Sequence, residues 1–191
     1  MAKVYFYYSA MNAGKTTHLL QARYNYHERG MKTICLKPAM DTREGISIIK
    51  SRIGLEAPCY AIQDEESIFD IIKAEMPLAC VLIDEAQFLS KQQVIDICKS
   101  CDELRVPILC YGLRSDFLGN PFPGSSILLA QADILMELKT ICHCGQKATM
   151  NLRIDDAGNA IKEGEQVLIG GNNQYISVCR KHFYNPIQQS K

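Results

Sequence analysis

Short apolar runs alternate with segments of helical spacing over most of this chain. The run Val4–Tyr8 is β-branched and aromatic and predicts a buried strand. A helix is predicted from Gly14 to Arg29, because the glycine that follows commonly ends helices. The other predicted elements are the strands Thr33–Leu36, Ala79–Ile83 and Val106–Tyr111 and the helices Ser67–Glu75 and Val94–Leu104. Such alternation, here continuing to about residue 140, is typical of a parallel sheet with helices on both faces.

Two stretches depart from this alternation. The stretch from Lys37 to Gly54 mixes charges with turn residues and predicts a mobile loop. The C-terminal part of the chain is rich in glycine, asparagine and aspartate, which indicates many turns. We therefore predict a domain boundary near Lys139, between an α/β domain of residues 1–139 and a smaller domain of residues 140–191.

The composition narrows the class of protein. Of the 191 residues, 47% are apolar, which is enough for one α/β domain with a small appendage. Basic and acidic residues number 21 each, so no net charge favours a nucleic-acid partner. The nine cysteines are odd in number and most lie in apolar runs, which argues against a disulfide framework. We expect no signal peptide, no membrane span and a soluble protein of the reducing cytoplasm.

A candidate phosphate-binding loop occupies Ser9–Thr16, between the first predicted strand and the first predicted helix. It fits the pattern G-x-x-x-x-G-K-[ST] except at Ser9, where glycine would tolerate more backbone conformations. In such a loop, backbone N–H groups and the helix N-terminus face the phosphate oxygens of a nucleotide. Lys15 would reach the β- and γ-phosphates, and Thr16 would offer its hydroxyl to Mg²⁺. The alternative is an ordinary strand–turn–helix with an incidental Gly-Lys-Thr.

A second segment strengthens the hypothesis of an ATP site. The apolar run Ala79–Ile83 ends in Asp84-Glu85, and a buried parallel strand delivers its C-terminal residues to the ligand crevice. Asp84 would hold Mg²⁺ directly or through water, and Glu85, facing the other way, would be able to act as a base. A solvated acidic turn is the alternative for this segment alone, but the two motifs together favour ATP binding.

Cysteine and histidine pairs in the C-terminal part indicate a metal site. Cys142-x-Cys144 and Cys179-x-x-His182 both lie in turn-rich sequence and suit a tetrahedral structural Zn²⁺. Incidental reduced thiols are the alternative, and His143 is a rival ligand. The further pair Cys98-x-x-Cys101 falls on the apolar stripe of a predicted helix, so we expect it to pack in the core.

Taken together, these residues resemble thymidine kinases of the zinc-containing type, in their bacterial form. The resemblance covers nearly the whole chain in the right order. The segments that carry it are Tyr7–Thr16, Asp41-Thr42-Arg43, Asp84-Glu85-Ala86-Gln87-Phe88, Tyr111–Phe117, Ile169-Gly170-Gly171 with Tyr175, and Cys179-Arg180-Lys181-His182.

The resemblance implies a fold and an activity. The fold would be a P-loop (RecA-like) parallel sheet flanked by helices, with a small C-terminal zinc-binding domain that carries a lasso loop. The activity would be ATP-dependent phosphorylation of thymidine at its 5′-hydroxyl, giving dTMP and ADP for nucleoside salvage. The family also leads us to expect a homotetramer that is inhibited by its end product dTTP. No nucleic-acid or membrane partner is expected.

The resemblance also assigns roles to residues. Glu85 matches the catalytic base, and Arg43 would steady the transferring phosphate together with Lys15. The nucleotide, with its Mg²⁺ on Thr16 and Asp84, would be bound by Ser9, Ala10, Met11, Asn12, Ala13, Gly14, Lys15, Thr16, Asp84, Glu85, Ala86 and Gln87. The nucleoside would be bound by Met11, Phe88, Leu113, Phe117, Phe122 and the lasso residues Ile169, Gly170, Gly171 and Tyr175. The structural Zn²⁺ would be held by Cys142, Cys144, Cys179 and His182.

Other classes of protein stay open at this point. The phenylalanines of the nucleoside set would ordinarily be core residues. A P-loop ATPase coupled to nucleic acid through a zinc module would keep the ATP site but not the nucleoside, although the neutral net charge argues against it. A nucleotide sensor without turnover would need no base, and Glu85 beside Asp84 argues against that.

Overall fold

A parallel sheet forms the centre of the protein, whose computed structural model describes residues 1–42, 45–166 and 174–186. The strands up to residue 137 are β1 (Val4–Ser9), β2 (Thr33–Pro38), β3 (Ile48–Lys50), β4 (Glu56–Pro58), β5 (Tyr60–Ile62), β6 (Cys80–Ile83), β7 (Ile108–Leu113) and β8 (Ile134–Glu137). Strands β3 and β4 pair as a separate antiparallel hairpin. The other six form one sheet in the order β5-β2-β6-β7-β1-β8, and every neighbouring pair is parallel.

Helices cover both faces of this sheet, as the alternation of elements predicts. They are α1 (Lys15–Glu28), α2 (Ile68–Glu75), α3 (Lys91–Leu104) and α4 (Pro123–Gln131), with a short 3₁₀ turn at Ala86–Phe88. Because strand side chains alternate between faces, Val81 and Ile83 pack with α2, α3 and α4, whereas Cys80 and Leu82 pack with α1 and the β3–β4 hairpin. Neither face of β6 is exposed, which explains its continuous apolar sequence.

The predicted elements are confirmed with small shifts at their ends. Helix α2 begins after Ser67, whose hydroxyl accepts a hydrogen bond from the backbone N–H of Asp70 at 3.3 Å. Helix α3 begins after Ser90, which forms a reciprocal capping box with Gln93. Cys101 of α3 is buried in the core and Cys98 packs against it, as expected for a core pair.

The prediction of an irregular loop over residues 37–54 is wrong in part. Lys37 lies within β2, and Ile48–Lys50 forms one strand of the hairpin. Lys37 is only 1% exposed, and its ammonium group donates to the carbonyls of Gly45 at 2.7 Å and Ile48 at 3.0 Å. Two hydrogen bonds from the ammonium group of the buried Lys37 therefore connect β2 to this stretch, and the local pattern of residues did not indicate them.

The C-terminal part of the chain has its own sheets and core. It contains β9 (Thr140–Ile141), β10 (Lys147–Ala148), β11 (Met150–Ile154), β12 (Ala160–Ile161), β13 (Tyr175–Val178) and α5 (Arg180–Tyr184). Strand β11 pairs antiparallel with β12 and β13, and a small cluster including Leu152 and Val178 forms the core. Separate sheets and a separate apolar cluster are compatible with a domain boundary near Lys139, which stays a prediction. Within the described residues, no helix is long and apolar enough to cross a membrane.

Candidate active site

The phosphate-loop segment turns sharply from β1 into α1. Asn12 and Gly14 hold the left-handed backbone conformation, with φ of 62° and 75°, and Gly14 precedes the first residue of the helix. Ser9 is the last residue of β1 and is not among the residues with positive φ. Glycine at the first motif position is therefore not required by backbone strain in this loop, and serine fits there.

Lys15 lies against the loop that it follows. Its side chain is largely buried, and its ammonium group donates to the hydroxyl of Ser9 at 3.0 Å and to the carbonyl of Ala10 at 3.1 Å. The Ser9 hydroxyl in turn donates to the carbonyl of Ala10 at 2.7 Å. A cation is thus held within the loop, at the place where the phosphate pattern requires one.

A hydrogen bond joins the two halves of the predicted nucleotide site. The hydroxyl of Thr16 donates to a carboxylate oxygen of Asp84 at 2.9 Å. The side chain of Asp84 is buried, and burial, followed by the neighbouring charge of Glu85, raises the pKa of Asp84 to about 7. A hydroxyl and a buried carboxylate at this spacing are the oxygen ligands that Mg²⁺ prefers beside substrate phosphates.

Glu85, which follows Asp84, has an unusual backbone conformation. It has φ 50° and ψ 36°, a left-handed conformation that is uncommon for a residue with a side chain. The side-chain amide of Gln87 donates to the Glu85 carboxylate at 2.5 Å. Ala86 and Gln87, both predicted in the nucleotide site, are fully buried in the 3₁₀ turn that follows Glu85.

The loop and both acids line one cavity of about 340 Å³. The predicted residues on its wall include Met11, Asn12, Ala13, Gly14, Lys15, Thr16, Asp84, Glu85 and Leu113. The hairpin β3–β4 contributes further wall residues that the sequence did not assign, among them Lys50 and Arg52. Lys37 and Asp41 line the cavity as well and form an ion pair at 3.7 Å. The hairpin therefore brings positive charge to this cavity, and in the sequence the motif Asp41-Thr42-Arg43 pointed to this region.

The predicted aromatic residues form two pairs. Phe88 and Phe122 meet edge to face at 5.6 Å between ring centroids, and Phe117 meets Tyr175 in the same way at 6.4 Å. Phe117 and Phe122 are both buried. Arg43 and the lasso residues Ile169, Gly170 and Gly171 lie outside the described residues.

Two side chains of the C-terminal sheet hold the phosphate loop. Asn151 of β11 is buried, accepts from the backbone N–H of Met11 at 2.8 Å and donates to the carbonyl of Ser115 at 3.0 Å. Ser177 of β13 donates to the carbonyl of Met11 at 2.5 Å. Both backbone groups of Met11 therefore have partners more than a hundred positions away in the chain. No motif in the sequence singled out either side chain.

The four predicted metal ligands come together. The ligand atoms of Cys142, Cys144, Cys179 and His182 all lie within 4.8 Å of one another. The Nδ1 atom of His182 is 3.4 Å from the sulfurs of Cys142 and Cys179, and the sulfurs of Cys144 and Cys179 are 3.9 Å apart. A tetrahedral Zn²⁺ with bonds of about 2.3 Å to sulfur would place its ligands about 3.8 Å apart, so the cluster fits this ion.

The protonation of this cluster also suits a metal. Burial alone would raise the pKa of the Cys142 thiol, but hydrogen bonds from the backbone of Cys144 and Cys179 and from His182 outweigh it and lower the pKa to about 6. The thiolate is the form of cysteine that binds a metal. Across the described residues, Cys142, Cys144, Cys179 and His182 form the candidate cluster, and the ring of the neighbouring His143 lies 4.3 Å from that of His182, tilted by 37°.

Comparison with known proteins agrees with this geometry. The sequence model of the family Thymidine kinase matches residues 2–183. A protein of Coxiella burnetii named thymidine kinase is 58% identical over 187 residues, which is 96% of this chain and 95% of the relative. Proteins of the same name from Yersinia pestis and Escherichia coli O157:H7 are 56% and 54% identical over 191 residues; the aligned region spans 97% and 93% of those relatives.

Proposed function

The chain belongs to the thymidine kinase family, and we propose that it phosphorylates its nucleoside with Glu85 as the base, above the phosphate loop. The reaction transfers the γ-phosphate of ATP to the 5′-hydroxyl of thymidine and gives dTMP and ADP, a step of nucleoside salvage. Phosphoryl transfer needs positioning and neutralisation of charge more than covalent help from the protein.

One observation carries the assignment of roles: the hydrogen bond between Thr16 and Asp84, in the same cavity as Glu85. Thr16 and Asp84 would hold Mg²⁺, which when bound neutralises charge on the transferring phosphate. Lys15 would move from the Ser9 hydroxyl to the phosphate oxygens of ATP. Glu85 would accept the proton of the 5′-hydroxyl, since it lines the same cavity as Lys15 and Asp84. Arg43 keeps its proposed role beside the transferring phosphate.

The nucleoside would bind next to the phosphate loop. Met11 and Leu113 belong to the cavity wall that also contains Glu85, which supports a base pocket beginning there. Phe88, Phe117 and Phe122 would extend that pocket. The lasso residues Ile169, Gly170 and Gly171 would read the base edge through their backbone, and Tyr175 would pack against the nucleoside or donate to it.

A structural Zn²⁺ would be held by Cys142, Cys144, Cys179 and His182. The spacing of these ligand atoms and the lowered pKa of Cys142 support the assignment. The ion would tie the start of the C-terminal part to helix α5, and no open coordination position is needed for this role.

Assembly, regulation and location complete the proposal. We expect a homotetramer, which gel filtration with light scattering would test, and inhibition by dTTP, which a titration at fixed thymidine would test. The nine cysteines all lie within the described residues and form no disulfide there, which supports the proposal of a reducing cytoplasmic compartment.

The activity is tested by incubating the protein with ATP, Mg²⁺ and a panel of nucleosides and measuring monophosphates. We expect dTMP from thymidine. Hydrolysis of ATP that is stimulated by DNA, without a nucleoside product, would instead support the ATPase coupled to nucleic acid.

The roles are tested by two variants with different expected profiles. Glu85→Gln keeps the size of the side chain but cannot accept the proton, so kcat should fall by about a hundredfold or more while ATP affinity stays nearly unchanged. Lys15→Ala removes a phosphate ligand and should impair both ATP affinity and kcat. Turnover of Glu85→Gln within a few-fold of wild type would mean that Glu85 is not the base.

A further inference from the structure

We propose that Gln87 is a positioning residue that orients the carboxylate of Glu85 for catalysis, a role distinct from contact with the nucleotide. This inference rests on the proposed function, because it acts through Glu85 as the base.

The amide of Gln87 joins two parts of the site. Its nitrogen donates to the Glu85 carboxylate at 2.5 Å, and its oxygen accepts from the backbone N–H of Leu113 at 3.0 Å. Gln87 is 0% exposed, so water does not reach its amide directly. Leu113 is the last residue of β7, the strand that lies between β1 and β6 in the sheet. Gln87 thereby fixes the Glu85 carboxylate relative to the central strand of the nucleotide site.

The position of Gln87 is itself determined by close backbone packing. A Cβ atom added at Gly112 would lie 2.9 Å from the side-chain oxygen of Gln87 and 3.0 Å from its backbone nitrogen. A Cβ atom at Gly124 would lie 2.9 Å from the carbonyl oxygen of Gln87. Two glycines, on β7 and α4, therefore allow neighbouring backbone to approach the 3₁₀ turn. Such an approach leaves little room for the amide to adopt another rotamer.

The hydrogen bond has a consequence for catalysis. A carboxylate has about four lone-pair positions, and one fixed amide donor sets its plane while leaving acceptor capacity for a substrate hydroxyl. The Glu85 carboxylate accepts a hydrogen bond from the amide of Gln87, and this bond limits its rotation. A base must lie within hydrogen-bonding reach of the proton that it accepts, so a rotated carboxylate would lose turnover rather than substrate affinity.

A matched control is available in Gln93. It is also a buried glutamine with both ends of its amide bonded: its nitrogen donates to the carbonyl of Gln63 at 3.0 Å, and its oxygen accepts from the N–H of Ser90 at 3.0 Å. It lies in the capping box of α3 and not in the nucleotide site. Gln93→Met should lower the melting temperature with kcat unchanged per folded molecule.

The test compares Gln87→Met with this control in the thymidine assay. We expect kcat to fall by about tenfold to a hundredfold, with KM for ATP and thymidine within about threefold of wild type. Gln87→Glu is the second variant, because it keeps an acceptor for the N–H of Leu113 but replaces the donor to Glu85 with a carboxyl group. Its kcat should fall at least as far as that of Gln87→Met. A kcat that stays within about twofold of wild type in either variant would overturn the proposal.

A double-mutant cycle with Glu85→Ala separates positioning from a general structural effect. If Gln87 acts through Glu85, then Gln87→Met should change the residual rate of the Glu85→Ala enzyme by less than about twofold. If the double variant instead showed the product of the two single losses in kcat, the positioning role of Gln87 would be refuted, while the assignment of Glu85 as the base would stand. If Glu85→Ala alone turned over like wild type, the assignment of the base would fail instead.

Discussion

Glycine at position 124 is required by the packing of α4 against the 3₁₀ turn, so we predict that Gly124→Ala destabilises the protein. The added Cβ atom would lie 2.6 Å from the carbonyl oxygen of Ala86, 2.8 Å from that of Leu89 and 2.9 Å from that of Gln87. Real Cβ atoms essentially never come within 3.0 Å of such neighbours. All three contacts are with backbone, which cannot rotate away as a side chain can, so the helix or the turn has to move.

The size of the effect follows from two opposing contributions. Overpacking of a well-packed site costs about 1–3 kcal/mol. Replacing glycine with alanine in a helix regains up to about 1 kcal/mol, and less here because residue 124 lies in the first turn of α4. A net loss of about 1–2 kcal/mol corresponds to a melting temperature lower by roughly 2–8 °C for a chain of this size.

Thermal unfolding followed by circular dichroism measures this loss, and the thymidine assay measures its effect on the site. Because the turn carries Gln87, we also expect kcat of Gly124→Ala to fall several-fold. Ser126→Ala is the control: it lies on the same helix, is only partly buried, and should unfold within about 1–2 °C of wild type. A Gly124→Ala protein that melts at or above the wild-type temperature, with unchanged kcat, would refute the reasoning.

Three further predictions concern other parts of the molecule. Elemental analysis of the purified protein should find one zinc per chain. The Cys179→Ser variant should lose most of this zinc, and the Cys98→Ser variant should keep it. An equal zinc content in both variants would contradict the ligand assignment. Burial disfavours the charged imidazolium and lowers the pKa of His18. The unfolded chain therefore binds a proton at His18 more readily than the folded protein does. The folded protein loses stability as pH falls below the unfolded pKa of about 6.5. The urea midpoint should therefore decrease less between pH 8 and pH 5.5 in His18→Gln than in wild type, and an equal decrease would count against this. Asn151→Ala removes the partner of the Met11 N–H and should raise KM for ATP by about fivefold, as measured by initial rates, whereas an unchanged KM would mean that the loop holds its shape alone.

The confirmed predictions depend on information that lies close together in the chain. The strand β1, the turn at Gly14 and the start of α1 are encoded by nearby residues, because a run of valine and aromatic residues, a left-handed glycine and a helical pattern each act locally. The apolar sequence of β6 indicates burial on both faces, and its end delivers Asp84 and Glu85. The ligand pairs of the metal cluster were recognisable from their residue types.

Elements that depend on distant contacts were missed. Helix α4 is apolar on most of its surface and short, so it has little helical periodicity to detect. Strand β3 is three residues long and is held by the buried ammonium group of Lys37, which the sequence presents as one charge among several in an apparent loop. The resemblance assigns Gln87 to the nucleotide set, which stays a prediction, but its complete burial and its hydrogen bonds to Glu85 and Leu113 became visible only in the folded chain.

The sequence by itself determined which chemical groups are available and in what order: the phosphate loop, the acid pair and the cysteine and histidine pairs. Only the tertiary structure decided which of them meet. Thr16 reaches Asp84 because β7 separates β1 from β6 by a single strand, and Met11 is held by Asn151 because the C-terminal sheet packs onto the loop. Hydrogen bonds between residues so distant in the chain form only when the fold brings these residues together, so local sequence patterns do not predict them.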